Sequence, residues 1–300
     1  MHHARPHRSD DSIEANSRVL ILGASGMLGR ELLRLAPTED ELGRPINVGG
    51  ADIQEVDITD AEAVHRYVAH IAPRVVINCA AYTDVDGCES NREKAFAVNG
   101  AGAGHVAAAA RACGARLLHI STDFVFDGEK EEPYVEEDIP RPINVYGESK
   151  LEGERRVQDV GGDWIIVRTA WLYGRHGKNF VDTILRLART RTEISVVTDI
   201  IGCPTSAADL AAVIWHLALS PLRGIYHAVN QGSCSRFEQA REIVRLAGLA
   251  CEVRATTSDA FPLPARRPAC VILSTEKLQA ATGQAMRSWR AALAAYLGGG

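Results

Sequence analysis

The chain has 300 residues, 46% of them apolar and 24% charged, a globular composition able to bury a large core without disulfides or metal. A formal net charge of −5 gives nucleic-acid binding no electrostatic support, and no stretch is long and apolar enough to span a bilayer. Residues 1–17 carry His, Arg and Asp around no apolar segment, which reads as a disordered tail and not as a secretory signal.

The next residues open an alternating pattern. Arg18 to Gly23 is an apolar run ending in glycine, and Met27 to Leu35 is an amphipathic helix. A polar loop from Pro37 to Pro45 leads to a strand over Ile46 to Asp52, weakened by Gly49 and Gly50. Ala61 to Ile71 reads as a helix, Arg74 to Cys79 as a buried β-branched strand, and Glu93 to Cys113 as an alanine-rich helix. Arg116 to Ser121 is a strand, Tyr146 to Val160 a helix, and Trp164 to Thr169 a strand. Helices are then expected over Asn179 to Ala188, Ala207 to Leu219, Phe237 to Leu246, Ser274 to Gln279 and Trp289 to Leu297, with a short strand over Ile225 to Val229.

This alternation predicts an α/β fold: a Rossmann-type, doubly wound parallel sheet with a smaller C-terminal lobe. Residues 18–170 are expected to bind a dinucleotide. Residues 171–300 are expected to be mainly a substrate-binding lobe, with some segments returning to the sheet. The seven cysteines show no C-x-x-C spacing, which suits reduced thiols in a cytoplasmic protein.

Gly23-Ala24-Ser25-Gly26-Met27-Leu28-Gly29 places three glycines directly after a strand and at the opening of a helix. One permits a tight turn, one lets the backbone approach a pyrophosphate, and Gly29 permits close helix–strand packing. An acidic residue after the second strand would bond the adenosine ribose, and Asp52 is the candidate. A carboxylate there favours NADH over NADPH, whose 2′-phosphate it repels. Capping a turn is the other reading of Asp52. Asp57 and Ile58 follow, and this pair could flank the adenine.

Tyr146 and Lys150 stand four apart at the start of a helix, hence on one face. An ammonium close to a phenol lowers its pKa, and such a tyrosine can protonate a carbonyl oxygen while hydride arrives at carbon. Thr122, at the end of its strand, offers a hydroxyl where a substrate carbonyl should sit; capping a loop is its other reading.

These residues, with Asn78–Thr83, Ala97-Val98-Asn99, Ser121–Gly128, Asn144–Glu154, Arg168–Gly174, Gly202-Cys203-Pro204-Thr205 and Arg267-Pro268, resemble the dTDP-4-dehydrorhamnose reductase family of extended short-chain dehydrogenases. The resemblance implies reduction, by NADPH or NADH, of the C4 keto group of a nucleotide sugar, dTDP-4-dehydro-L-rhamnose. It makes Tyr146 the general acid, Lys150 its partner and Thr122 the group on the keto oxygen. It also implies that Asp123, Val85 and Trp171 lie at the sugar, although a tryptophan is as readily a core residue. By the same resemblance Gly26, Met27, Leu28, Asp57, Ile58, Ala81, Tyr82 and Thr83 would line the cofactor, and Asn99 matches the asparagine that shapes the active-site helix.

Phe124 departs from the family's usual tyrosine. It also removes the acid that related dehydratases carry after Thr-Asp, which favours plain reduction over water elimination. Some relatives bind magnesium at a dimer interface. Only Glu31 matches a ligand there, so no metal site is expected, and a homodimer stays open. A different class, a non-catalytic dinucleotide-binding subunit like that of methionine adenosyltransferase, shares the resemblance, as do reductases of other 4-keto sugar nucleotides.

Overall fold

The computed structural model describes residues 18–40 and 42–298, so the tail expected over residues 1–17 lies outside the described residues. Strand β1 (Arg18–Leu22) leads through the glycine turn to helix α1 (Met27–Arg34). Then come β2 (Asn47–Ala51), α2 (Ala61–Ile71), β3 (Val75–Asn78), α3 (Val85–Ser90) and α4 (Arg92–Ala95). A π-helical turn (Phe96–Gly102) joins α4 to α5 (Ala103–Ala112), followed by β4 (Arg116–Thr122), α6 (Val145–Val160) and β5 (Trp164–Thr169).

All pairings in the main sheet are parallel, in the order β2-β1-β3-β4-β5. The order reverses between β1 and β3, and the crevice at the carboxyl ends of these two strands is where such folds take ligands. The strands are apolar on both sides, as a covered parallel sheet requires. In β1, Val19 and Ile21 pack with Leu28 and Leu32 of α1, while Leu20 and Leu22 pack with Val64 and Val68 of α2. Alanines 107, 109 and 110 of α5 are fully covered, and their small side chains bring that helix close to the sheet.

The rest of the chain serves both the sheet and a smaller lobe. It runs β6 (Leu172–Tyr173), α7 (Phe180–Thr190), β7 (Glu193–Val197), β8 (Ile201–Gly202), β9 (Thr205–Ser206), α8 (Ala207–Leu219) and β10 (Gly224–His227). Then follow β11 (Cys234–Ser235), α9 (Arg236–Leu246), β12 (Glu252–Thr256), α10 (Glu276–Thr282) and α11 (Trp289–Gly298). Helix α8 packs beside α1, with Trp215 Nε1 donating to Leu32 O at 3.0 Å, and β10 extends the main sheet beside β5. A separate core gathers α7, α9 and α11 around the parallel pair β7–β12, with Ile184, Ile243, Trp289 and Leu293 at its centre.

Strands β6–β9, β11 and β12 were not expected, and two further differences lie in the first half of the chain. The helix expected over 93–113 is interrupted by the π turn, because Asn99 sends its side chain out to the backbone of Tyr82 and to Ser149. Helix α3 was not expected: Asp84 caps it by accepting from Gly87 N at 3.0 Å, a short-range signal in a segment with weak periodicity. Among the described residues no helix is long and apolar enough to cross a membrane.

Candidate active site

The glycine turn after β1 has the tight geometry its glycines imply. Gly23 has φ +74°, and a Cβ there would sit 2.7 Å from Ala80 N. A Cβ on Gly29 would sit 2.4 Å from Gly23 O, so this helix can lie on the turn only with glycine there. Gly26 is the N-cap of α1 and supplies no side-chain cap, which leaves the first amides of the helix for an anion.

Asp52 clamps this turn. Its Oδ2 accepts from Ser25 N at 2.8 Å and its Oδ1 from Ile53 N at 3.2 Å. Burial works against its charge, but the bonds from Ser25 and Ile53 prevail and hold the carboxyl below its usual value. With Gly23, Ser25, Gly26, Asp57, Ile58, Ala81 and Tyr82, Asp52 lines a cavity of about 310 Å³. Asp57 Oδ1 accepts from Thr59 N at 2.9 Å and from Thr59 Oγ1 at 2.8 Å, which fixes the loop on that wall.

A larger cavity, about 710 Å³, shares Gly23, Gly26 and Ala81 with the first. It is lined further by Met27, Leu28, Gly29, Thr83, Val85, Thr122, Asp123, Tyr146, Lys150 and Trp171. The two spaces form one groove across the carboxyl ends of β1, β3 and β4. Every candidate catalytic, cofactor or substrate residue read from the sequence lines it except Asn99, which is 1% exposed behind its wall. Asn99 accepts from Tyr82 N at 2.8 Å and donates to Tyr82 O at 3.0 Å and Ser149 Oγ at 2.9 Å, tying the loop after β3 to α6.

Helix α6 is placed by its cap and by a glycine. Asn144 Oδ1 accepts from Gly147 N at 2.8 Å while its Nδ2 donates to Arg266 O at 2.7 Å. A Cβ on Gly147 would lie 2.1 Å from Phe124 O, so only glycine lets this turn press against the end of β4. Phe124 packs edge-on against Tyr146, centroids 5.5 Å apart.

Lys150 is 2% exposed and its Nζ donates to Ile120 O at 2.6 Å. Burial brings its pKa down to about 8, against the opposing pull of the Glu154 charge. Burial pushes the Tyr146 phenol up, opposed by its hydrogen bond with Thr122 and helped by the nearby Asp123 charge. The i, i+4 spacing suggested an ammonium lowering the phenol; the lysine instead reaches back to a strand carbonyl. The phenol is therefore neutral near pH 7, the form that a general acid needs.

Thr122 Oγ1 donates to Asp123 Oδ1 at 2.9 Å and accepts from Phe124 N at 3.2 Å, so the hydroxyl caps its loop and faces the groove as well. Burial pushes Asp123 up to about 6, while the bond from Thr122 and the charge of Arg236 pull it back. Trp171 lies at φ +45°, a conformation that costs a non-glycine residue about 1–3 kcal/mol and recurs at functional sites. A Cβ on Gly202 would lie 2.5 Å from this indole, so the missing side chain makes room for it.

Sequence reading gave no role to several residues of the groove. Cys79 and Ile120 line it at the ends of β3 and β4, and Arg236 enters from α9. The Arg236 position has no local signal, since it follows an ordinary N-cap serine. Arg267 also lines the groove, paired with Asp86 through contacts of 2.5 and 2.8 Å. Glu31, the one expected match to a magnesium ligand, is buried and paired with Arg34 at 2.6 Å. Among the described residues no cluster of three or more His, Cys, Asp or Glu side chains could hold a metal.

A glycine turn at the β1/β3 crevice, with a Tyr-x-x-x-Lys helix facing a threonine at the end of β4, defines an extended short-chain dehydrogenase/reductase. Residues 17–299 match the family model described as the RmlD substrate binding domain. dTDP-4-dehydrorhamnose reductase of Streptomyces griseus is 46% identical over 92% of this chain and 91% of its own. Spore coat polysaccharide biosynthesis protein SpsK of Bacillus subtilis is 38% identical over 94% and 97%. A crystal structure of dTDP-4-dehydrorhamnose reductase from Bacillus anthracis in complex with NADP superposes with a TM-score of 0.91, at 40% identity, over 95% of this chain and 100% of that one. The chain belongs to the dTDP-4-dehydrorhamnose reductase family.

Proposed function

We propose that the protein reduces the C4 keto group of dTDP-4-dehydro-L-rhamnose with NADPH or NADH, giving dTDP-L-rhamnose. The observation that carries this reading is the continuity of the groove, which joins the phosphate-binding turn to Thr122, Tyr146 and Lys150. The residues fit a dinucleotide: the uncapped amides of α1 suit its pyrophosphate, and the space beside Asp52, Asp57 and Ile58 suits its adenosine. When bound, the reduced nicotinamide supplies hydride to C4.

The chain's own residues supply the rest. Thr122 orients the keto oxygen, and Tyr146, held neutral, gives it a proton as negative charge develops there. Lys150 holds the cofactor's nicotinamide ribose, and Asp123, Val85 and Trp171 flank the sugar. Residues 18–170 carry the cofactor half and residues 171–300 most of the substrate lobe, with β10 serving the sheet. Seven free thiols suit a reducing compartment, the cytoplasm.

Purified protein is expected to oxidise NADPH or NADH when given dTDP-4-dehydro-L-rhamnose. No turnover with any 4-keto sugar nucleotide would remove the reading and favour a non-catalytic dinucleotide-binding subunit.

Asp52 is expected to set the preference between the two cofactors. Its carboxylate stands on the adenosine side and repels a 2′-phosphate. Asp52→Asn is expected to raise kcat/KM with NADPH relative to NADH by about tenfold, the effect of one unit-charge contact of about 1 kcal/mol or more. An unchanged ratio counts against this role and leaves Asp52 as the clamp of the turn.

A further inference from the structure

We propose that Arg236 binds the diphosphate of the nucleotide sugar. The proposal rests on the reductase reading above and assigns one uncommitted cation of the groove to one part of the substrate.

Arg236 is the first residue of α9, just after the N-cap Ser235. Its guanidinium carbon lies 3.4 Å from the centroid of the Trp171 ring and 4.6 Å from that of Phe180. Two aromatic contacts fix the plane of the cation and strip much of its water. A guanidinium carries five N–H donors. Among the described residues one hydrogen bond reaches it, from NH1 to Gln239 Oε1 at 3.1 Å, and no carboxylate lies within ion-pair distance. Burial brings its pKa down to about 10, and the nearby Asp123 charge offsets part of that. A rigid, partly desolvated fork of donors that faces a cavity is suited to a phosphate group.

The other cations on this cavity are paired or solvent-exposed. Arg267 is held by Asp86, Lys150 by the carbonyl of Ile120, and Lys178 is exposed. Asp123 gives the groove a direction. Its carboxyl, bonded by Thr122, opposes an anion at the catalytic end, whereas Arg236 favours one. A substrate that presents its keto oxygen to Thr122 and Tyr146 thus keeps its neutral sugar beside Asp123 and turns its diphosphate to Arg236.

The test uses the full chain, with dTDP and NADPH as separate probes in titration calorimetry, and Arg236→Gln and Arg236→Lys as variants. Arg236→Gln is expected to weaken dTDP roughly 10- to 100-fold, the range for a hydrogen bond to a charged group. NADPH affinity is expected to stay as in the wild type, which shows that the variant is folded. Arg236→Lys keeps the charge without the fork and is expected to recover part of the loss. With the sugar nucleotide as substrate, KM rises in Arg236→Gln while kcat stays close to that of the wild type.

Unchanged dTDP affinity in Arg236→Gln overturns the proposal. So does a fall in kcat with a shifted pH profile and normal dTDP binding, which means that Arg236 acts through Asp123. A wild type that binds dTDP but turns over no 4-keto sugar removes the reductase reading and leaves the Arg236 measurement to be judged by itself.

Discussion

Tyr146→Phe is expected to lose turnover by a factor on the order of 100 or more while NADPH and NADH bind as before. The substitution removes one oxygen and the transferable proton on it. Nothing that places the helix depends on that oxygen. Asn144 still caps α6, Gly147 still presses on Phe124 O, and the ring still meets Phe124 edge-on. Burial keeps the wild-type phenol protonated well beyond neutral pH, so the proton is present when the substrate arrives. Single-turnover kinetics with preformed enzyme–cofactor complex separate the chemical step from binding. Near-normal rates in that experiment would falsify the general-acid assignment.

Glu154→Ala is expected to cost about 3–5 kcal/mol of stability, because it leaves a buried guanidinium without its counter-charge. Glu154 sits one helical turn after Lys150, fully buried, and takes both arms of Arg168 from β5, at 2.9 and 2.7 Å. It also accepts from Ser121 Oγ at 2.5 Å, one residue before Thr122. Three elements of the site thus meet on one carboxylate. Urea denaturation compares the variant with the wild type; a loss below 1 kcal/mol would show that Arg168 finds another partner.

Glu154→Gln gives a milder and more informative result. The Glu154 charge raises the pKa of Lys150 against the stronger effect of burial. Removing it lowers that pKa further below about 8, so the ammonium is lost at lower pH. If activity needs the ammonium, the alkaline limb of the kcat/KM profile moves to lower pH in Glu154→Gln. A profile that stays in place separates Lys150's charge from the rate.

Much of the N-terminal half could be read from short stretches of chain. The strand into Gly23, the turn, and the helix after it obey rules that act within a few residues: β-branched runs, positive φ at glycine, and the space over a helix N-terminus. Tyr146, Lys150 and Thr122 were visible for the same reason, since spacing on a helix and position at a strand end are local facts. The β7–β12 pair was not, because its strands lie far apart in the chain and each is short and only partly buried. The π turn was also hidden. It depends on Asn99 bonding to Tyr82 and Ser149, which stand 17 and 50 residues away in the chain.

The Tyr146–Lys150 pair shows where that boundary falls. Four-residue spacing on a helix put both side chains on one face, and nearest-neighbour geometry was enough for that. What the two groups do to each other depended on burial and on distant partners. Lys150 found Ile120 O on β4, Tyr146 found Thr122 and Phe124, and the charge that supports the lysine came from Glu154, itself pinned by Arg168. Arg236 over Trp171 and Arg267 on Asp86 belong to the same kind: each joins residues far apart in the chain. Propensity and periodicity act over one or two turns of chain, so they identify the chemical groups. Desolvation and pairing act through space, so the protonation state of these groups was decided only when the strands and lobes had packed.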